Sequence, residues 1–364
     1  MKKFLISGLL GLLVGCSGGG SGPSLPNLAG VWAPQSGGEF LGGLSGASLR
    51  FLQLNPDGTG QVYATQAESN VLACTAVVYA VASQNVVSIS TVANGVSYEG
   101  VELYTFQRGD TSLTISNKEG VSQTFNKAGA VAANSQCETA NVTARLQNIP
   151  ISNNSWSNLL NDGTNLKLVN DSRNLYTINP ITGVLSAPQS IPGPTYAYFV
   201  TMQGINDYWG TCACGNVEDI KRHGPPPTFT ETTSINTRTD LSNQISVNSG
   251  AFDGTSLWLA GYSRSTNGYR LLQVNPATKA LVSYFDFKTQ LRHIAFVSGQ
   301  LWGLASLLGS KLVQIDPVSR RATRTITLPT LSSGSYYGLT SMGGKLYVLI
   351  RNDDNSSSIL VVQP

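Results

Sequence analysis

The chain has 364 residues, enough for two or more domains of ordinary size. A formal net charge of +3 and a charged-residue content of 12% leave no basic footprint for nucleic acid or another polyanion. Gly, Ser, Thr and Asn abound between short Val, Ile, Leu and Tyr runs, and no long amphipathic helix stands out, so the composition points to an all-β secreted chain.

The opening, MKKFLISGLLGLLVGCSGGGSG, places Lys2 and Lys3 before an apolar run from Phe4 to Val14, with Gly15 preceding Cys16. That run is too short to span a bilayer and has the form of a secretory signal peptide, expected over 1–15. The stretch LVGC resembles the lipobox of bacterial lipoproteins. The resemblance implies cleavage before Cys16, acyl chains of the palmitate type on Cys16, and sorting to the outer membrane because Ser17 rather than Asp follows. Without Lys2 and Lys3 the mature charge falls to about +1. Residues 16–26 then form the lipidated cysteine and a Gly/Ser/Pro tether, which reaches at most ~35 Å. The folded part is expected in the bacterial cell envelope, held by its lipid beside a membrane it does not enter.

From Asn27 onward the pattern is a succession of alternating strands with hairpin punctuation. RFLQLNPDGTGQVYA reads as two strands around Asp57-Gly58, VVYAVASQNVVSISTV as another pair, and YTFQRGDTSLTIS with VSQTFNKA as a meander. About eight short strands suit a small antiparallel β-barrel or sandwich over 27–138. LAGVWAP, with Gly30 and Trp32, resembles the Gly-x-Trp start of lipocalin-like domains, and LYTFQRGDTSLTI has a similar cast. Trp32 reads as a core plug rather than a ligand contact. The resemblance admits an apolar ligand in the barrel, unless Tyr63, Val78, Ile89, Phe106 and Ile115 fill the interior.

With Cys16 lipidated, four cysteines remain, and in an oxidising compartment they allow three pairings. Cys74 with Cys137 is the favoured disulfide, pinning the end of the first domain to one of its strands. Cys212 and Cys214, in GTCACGN, either close a small ring as a second disulfide or stay reduced. They have no third or fourth ligand at zinc spacing, so no metal and no cofactor is expected.

Beyond Asn141 the sequence repeats with a period of roughly 40 to 55 residues. One column reads Asn179-Pro180, Asn236-Thr237, Asn275-Pro276, Asp316-Pro317 and Gln363-Pro364. An upstream column reads GTNLKL, INDYWG, GTSLWL, SGQLWG and GGKLYV. Five units of about four strands resemble the blades of a β-propeller, and the Asn/Asp-Pro turn is similar to that of YVTN and related extracytoplasmic propellers. The fifth unit lacks its fourth strand, and the unclaimed strand VTARLQNIPI, Val142 to Ile151, reads like RATRTITLPT. Residues 141–364 are therefore expected to form a five-bladed propeller closed without a covalent bond by 142–151. A sixth blade in the irregular stretch from Thr195 to Gln244 is the alternative. The fold class is all-β throughout.

In a propeller the loops entering the first strand of each blade form one mouth of the channel. Counting back eight residues from the second-strand column gives Asn158, Val200, Ser249, His293 and Gly338. Their neighbours are Ser157, Phe199, Asn248, Arg292 and Tyr337, with Trp156, Tyr198 and Tyr336 just outside. Trp156, Asn158, Tyr198, Asn248, Arg292, His293, Tyr336 and Tyr337 are the candidate mouth residues. Their composition suits a small molecule or glycan, although aromatics also pack between blades. NVEDIKRHGPPPT, with Glu218, Asp219, Lys221, Arg222 and His223, reads as a charged loop that is either solvated or partner-binding. Asp353 and Asp354 lack the spaced ligands of a calcium site. No nucleophile elbow, zinc-protease motif or phosphate-cradling loop is present. Two functions stay open. One is a binding or scaffold lipoprotein whose propeller face meets a protein, peptide or glycan. The other is a propeller enzyme of the lyase, glycan-hydrolase or glutaminyl-cyclase type, working through His293, Arg292 and Glu218.

Overall fold

The computed structural model describes residues 24–36, 47–66, 72–93, 96–97, 102–131, 138–149, 158–169, 174–191, 197–205, 207–212, 219–226, 228–237, 239–241, 245–263, 266, 268–287, 290–305, 310–329, 331, 334–354 and 356–364. The first set of strands is β1 (Gly30–Pro34), β2 (Ala47–Leu54), β3 (Thr59–Gln66), β4 (Leu72–Ser83), β5 (Val86–Ala93), β6 (Val96–Ser97), β7 (Glu102–Arg108), β8 (Ser112–Ser116) and β9 (Ser122–Ala128). Hydrogen bonding runs β4-β3-β2-β1-β9-β8-β7-β5 and returns from β5 to β4, so eight strands close a barrel with β6 as a short addition to β5.

Period-two alternation turns Leu52, Leu54, Val62, Ile89, Phe106, Leu113, Ile115 and Phe125 inward around a fully buried Trp32. The Trp32 indole Nε1–H donates to the Leu28 carbonyl at 2.9 Å, so its polar atom is satisfied inside an apolar core. Gly30 enters with φ 153°, a region closed to side chains, which explains the Gly of the Gly-x-Trp opening. With the interior filled in this way, the apolar-carrier reading falls. Ile89, Phe106 and Ile115 do fill it, whereas Val78 is exposed and Tyr63 packs in a satellite cluster with Cys74 and Val131.

Two strands follow, β10 (Glu138–Thr139) and β11 (Asn141–Ile149), and then the blades. Blade one is β12 (Asn158–Asn161), β13 (Leu166–Val169), β14 (Asn174–Ile178) and β15 (Gln189–Ser190). Blade two is β16 (Ala197–Gln203), β17 (Asp207–Cys212), β18 (Asp219–His223) and β19 (Glu231–Asn236). Blade three is β20 (Ile245–Phe252), β21 (Leu257–Ser263), β22 (Gly268–Val274) and β23 (Leu281–Phe287). Blade four is β24 (Leu291–Val297), β25 (Gln300–Ala305), β26 (Lys311–Asp316) and β27 (Arg321–Thr327). Blade five is β28 (Ser335–Met342), β29 (Lys345–Arg351) and β30 (Ser357–Gln363), completed by β11. The innermost strands β12, β16, β20, β24 and β28 meet in sequence and β28 meets β12, so five blades form a ring. The stretch from Thr195 to Gln244 holds blade two, which leaves no sixth blade there.

The recurring Asn/Asp-Pro phrase has a local cause. The Asn179 side chain accepts the amides of Ile181 and Thr182, Asn275 those of Ala277 and Thr278, and Asp316 those of Val318 and Ser319. Four residues on, Gly183, Lys279 and Arg320 take φ of 74°, 62° and 58° and return the chain to the outer strand. Between neighbouring blades the apolar faces interlock in five clusters, one per gap; Trp209, Trp258 and Trp302 each fill a gap from the second strand.

Blade five closes as the sequence implies. β11 pairs antiparallel with β30, with Val142 opposite Val362, Ala144 opposite Val361, Arg145 opposite Leu360 and Leu146 opposite Ile359. β10 does something the sequence did not announce, adding to blade four as a fifth strand parallel to β27. Glu138 there receives Arg324 Nε at 2.8 Å, a bond that holds the Glu138 carboxyl below its ordinary range. The barrel also touches this blade: the Lys311 amine, buried in β26, donates to the Cys74 carbonyl and to Thr327 Oγ1, both at 3.2 Å. Burial with no carboxylate in either bond brings that amine down to about 8. Cys137, the expected disulfide partner of Cys74, lies outside the described residues.

Candidate functional site

Both faces of every blade are covered by neighbours, so the free edge of each innermost strand borders the bore. Backbone groups on that edge need partners. Hydroxyls from the next blade supply some. Ser249 Oγ accepts the Ile294 amide at 2.9 Å and Ser341 Oγ donates to the Phe296 carbonyl at 2.6 Å, while between side chains Asn161 Nδ2 donates to Thr340 Oγ1 at 3.0 Å. Gly250 has no side chain because a Cβ would press on Val200 and Thr201 of blade two at 3.1 and 3.3 Å.

Toward the turns that join first and second strands, the bore is a cavity of about 400 Å³ reaching from Asn161, Thr201, Gly250, Ile294 and Thr340 to Gly163, Gly204, Ser298 and Gly344. Asp162 stands on its rim. Burial alone would raise its carboxyl, but the amides of Asn165 and Thr164 and the Lys167 amine, 3.0 Å away, outweigh that and hold it low. The corresponding turn in blade three uses Asp253 likewise, accepting two amides and the Trp258 indole at 2.8 Å.

The opposite end carries the sequence-derived mouth residues, and a repeated irregularity places them. In blades three, four and five the first strand holds one extra residue against the second: Asn248 between Val247 and Ser249, Arg292 between Leu291 and His293, Tyr337 between Tyr336 and Gly338. Blade two bulges at Val200, which is buried. A bulge re-aims a side chain, and Asn248 is the single exposed residue of its strand. Arg292 and Tyr337 are half-buried in the equivalent places.

His293 follows Arg292 and is half-buried; its ring centre lies 6.4 Å from that of Tyr337, tilted by 43°. Surrounding protein, and then the Arg292 charge, lower its proton affinity from 6.5 to about 4, so the ring is neutral at ordinary pH. The Arg351 guanidinium, at the end of β29, stands 5.9 Å from the Tyr337 ring centre. Tyr336 points elsewhere: it is buried between blades four and five with its hydroxyl on the Pro329 carbonyl at 2.6 Å, and burial pushes that hydroxyl up to about 12. Asn158 opens β12, Tyr198 lies in β16 with its side chain outside the described set, and Trp156 is outside it altogether.

Other expectations resolve differently. Asp219 to His223 form strand β18, not a loop. Lys221 pairs with Glu231 at 2.8 Å and Arg222 with Asp207 at 2.6 Å, while Ile220 alone faces the core, so a single apolar residue hid the strand. His223 Nδ1 contacts the Phe229 carbonyl at 3.1 Å. Asp354 takes the amide and hydroxyl of Ser356 in a tight turn. Cys212 ends β17 with its side chain undescribed; Cys214, Glu218 and Cys16 lie outside the described residues. Among those residues no three of His, Cys, Asp and Glu gather as a metal site, and no helix is long and apolar enough to cross a membrane. Arg351 was missed by sequence reasoning, though the end of a second strand faces the same mouth as the start of a first.

No protein-family model matches the sequence, and no curated protein matches it. Among solved structures the chain is similar to a Myxococcus xanthus glutaminyl cyclase, with 11% identity over 61% of this chain and 95% of that one and a TM-score of 0.45. It is also similar to the Neurospora crassa Pan2 WD40 domain, with 9% identity over 80% and 86% of the two chains and a TM-score of 0.33.

Proposed function

We infer that this chain is a binding module of the cell envelope that offers the bulged end of its propeller bore to a ligand. One observation carries the reading. The bulges gather Arg292, Tyr337 and neutral His293, with Asn248 in the equivalent place of blade three, yet no described hydrogen bond joins His293 to a second titratable side chain. Acid–base catalysis asks for two such groups converging on one spot, with a proton affinity near the working pH. A ring that takes its proton only near pH 4 is a hydrogen-bonding surface instead. The enzyme reading, with Glu218 as the missing carboxylate, is the alternative outcome of the test. An Arg292→Gln/Tyr337→Ala variant of the full chain, screened on a glycan and peptide array, is expected to keep its melting temperature and lose the ligands the wild type retains. Conversion of a retained ligand to product by the wild type would replace binding with catalysis.

The address follows from the amino terminus. LVGC supports lipidation of Cys16, which with the short tether would keep the barrel and propeller close to the outer membrane. Cells given labelled palmitate are expected to mark the wild type and leave Cys16→Ser unlabelled and released from the membrane fraction. Equal labelling of both would remove the anchor. The pairing of Cys74 with Cys137 belongs to the same proposal, since an oxidising envelope is where it would persist.

A further inference from the structure

Three arginines of the blades are matched by carboxylates, Arg222 by Asp207 and Arg270 by Asp286 at 2.6 Å, and Arg324 by Glu138, while Arg145, Arg320 and Arg321 are exposed to solvent. Among the described residues no carboxylate pairs with Arg292 or Arg351. Both are half-buried, Arg292 next to His293 and Arg351 at 5.9 Å from the Tyr337 ring centre, and the His293 and Tyr337 rings are 6.4 Å apart. Two guanidinium groups around one aromatic pair, with their charge uncompensated, form a standing positive field that an anion relieves. His293 stays neutral there, so it adds no third charge and offers one donor and one acceptor.

Resting on the binding reading above, we propose that this mouth takes the carboxylate of an acidic sugar. The planar guanidinium fork matches a planar carboxylate through two parallel hydrogen bonds. Tyr337 presents a flat apolar ring, against which a sugar lays its C–H face. The exposed Asn248 amide and His293 meet hydroxyl groups, which both donate and accept. A phosphate would satisfy the arginines equally well but has no apolar face for Tyr337. A neutral sugar would use the ring and leave the arginines unrelieved.

The test is calorimetric titration of the full chain with a galacturonate disaccharide, its methyl ester and inorganic phosphate. The free acid is expected to bind, the ester at least tenfold more weakly, and phosphate to displace the acid poorly. Arg292→Gln and Arg351→Gln should each lose tenfold or more, while Arg321→Gln, an exposed arginine on an outer strand, keeps wild-type affinity and controls for net charge. Melting curves check that each variant is folded. Equal affinity for acid and ester, both lost in Tyr337→Ala, overturns the carboxylate assignment and leaves the binding reading in place. Displacement by equimolar phosphate makes the site a general oxyanion site and removes the sugar. No binding of acid or ester by folded wild-type protein overturns the proposal, and only an empty array result would then also remove the binding reading.

Discussion

At the scale of single residues, the mouth shows how far position can be read without coordinates. Counting back eight residues from the second-strand column lands on His293 and Gly338, which follow the bulges, and naming the adjacent residues supplies Asn248, Arg292 and Tyr337, which are the bulges. The count worked because the first strands of blades two to five are of nearly one length, set by the height of the ring along its axis. It could not tell bulged from regular residues, since a bulge is one extra residue and leaves no mark on alternation over so short a strand. Tyr336 illustrates the cost: one place from Tyr337, it faces the gap between blades instead of the bore. His293 yields a prediction with a definite sign. Its folded-state proton affinity, about 4, lies below the 6.5 of the free ring. Above pH 6.5 both states are neutral and it has no effect. As pH falls from 6.5 to 4 the unfolded chain takes up a proton that the fold refuses, so stability declines, and below 4 that loss is complete. His293→Gln should therefore show a shallower fall in melting temperature between pH 7 and 4 than the wild type; parallel curves would mean the ring is not shielded.

At the scale of elements, turn chemistry was the most legible part of the sequence and blade two the least. Asn275 and its equivalents appear as a phrase because one side-chain oxygen takes two amides that would otherwise be unpaired at the tip of a hairpin. Asn275→Ala should lose about 1–2 kcal/mol, read from denaturant unfolding of the full chain. Asn275→Asp, which retains the acceptor, should lose little, as Asp316 fills the same role naturally. β18 escaped notice for the opposite reason. Its charged residues satisfy one another across strands, a pattern that without partners looks like a solvated loop. β10 was also hidden, because two residues carry no periodicity and their pairing with β27 is set by where the barrel docks.

At the scale of the whole molecule, the ring rests on β11 meeting β30, and this was legible because an incomplete repeat at one end matched a spare strand at the other. Val361 is the sharpest probe of it. The residue sits between Tyr347 on β29 and Ala144 on β11, so proline there removes a donor from a strand paired on both sides and is expected to lower the propeller's melting temperature clearly. Limited proteolysis should then cut the propeller while the barrel, closed by its own strands, resists; equal resistance of both would show the ring does not depend on this seam. The same seam imposes an order on biosynthesis. Arg145 and Ser358, which touch across it, are separated by 213 residues, and at roughly 5–20 residues per second a ribosome needs on the order of 10–40 s to make that span. For that interval a nascent strand waits with its edge unsatisfied while four sheets assemble downstream, a window in which a holding chaperone, or export before completion, would protect it from pairing with a neighbour.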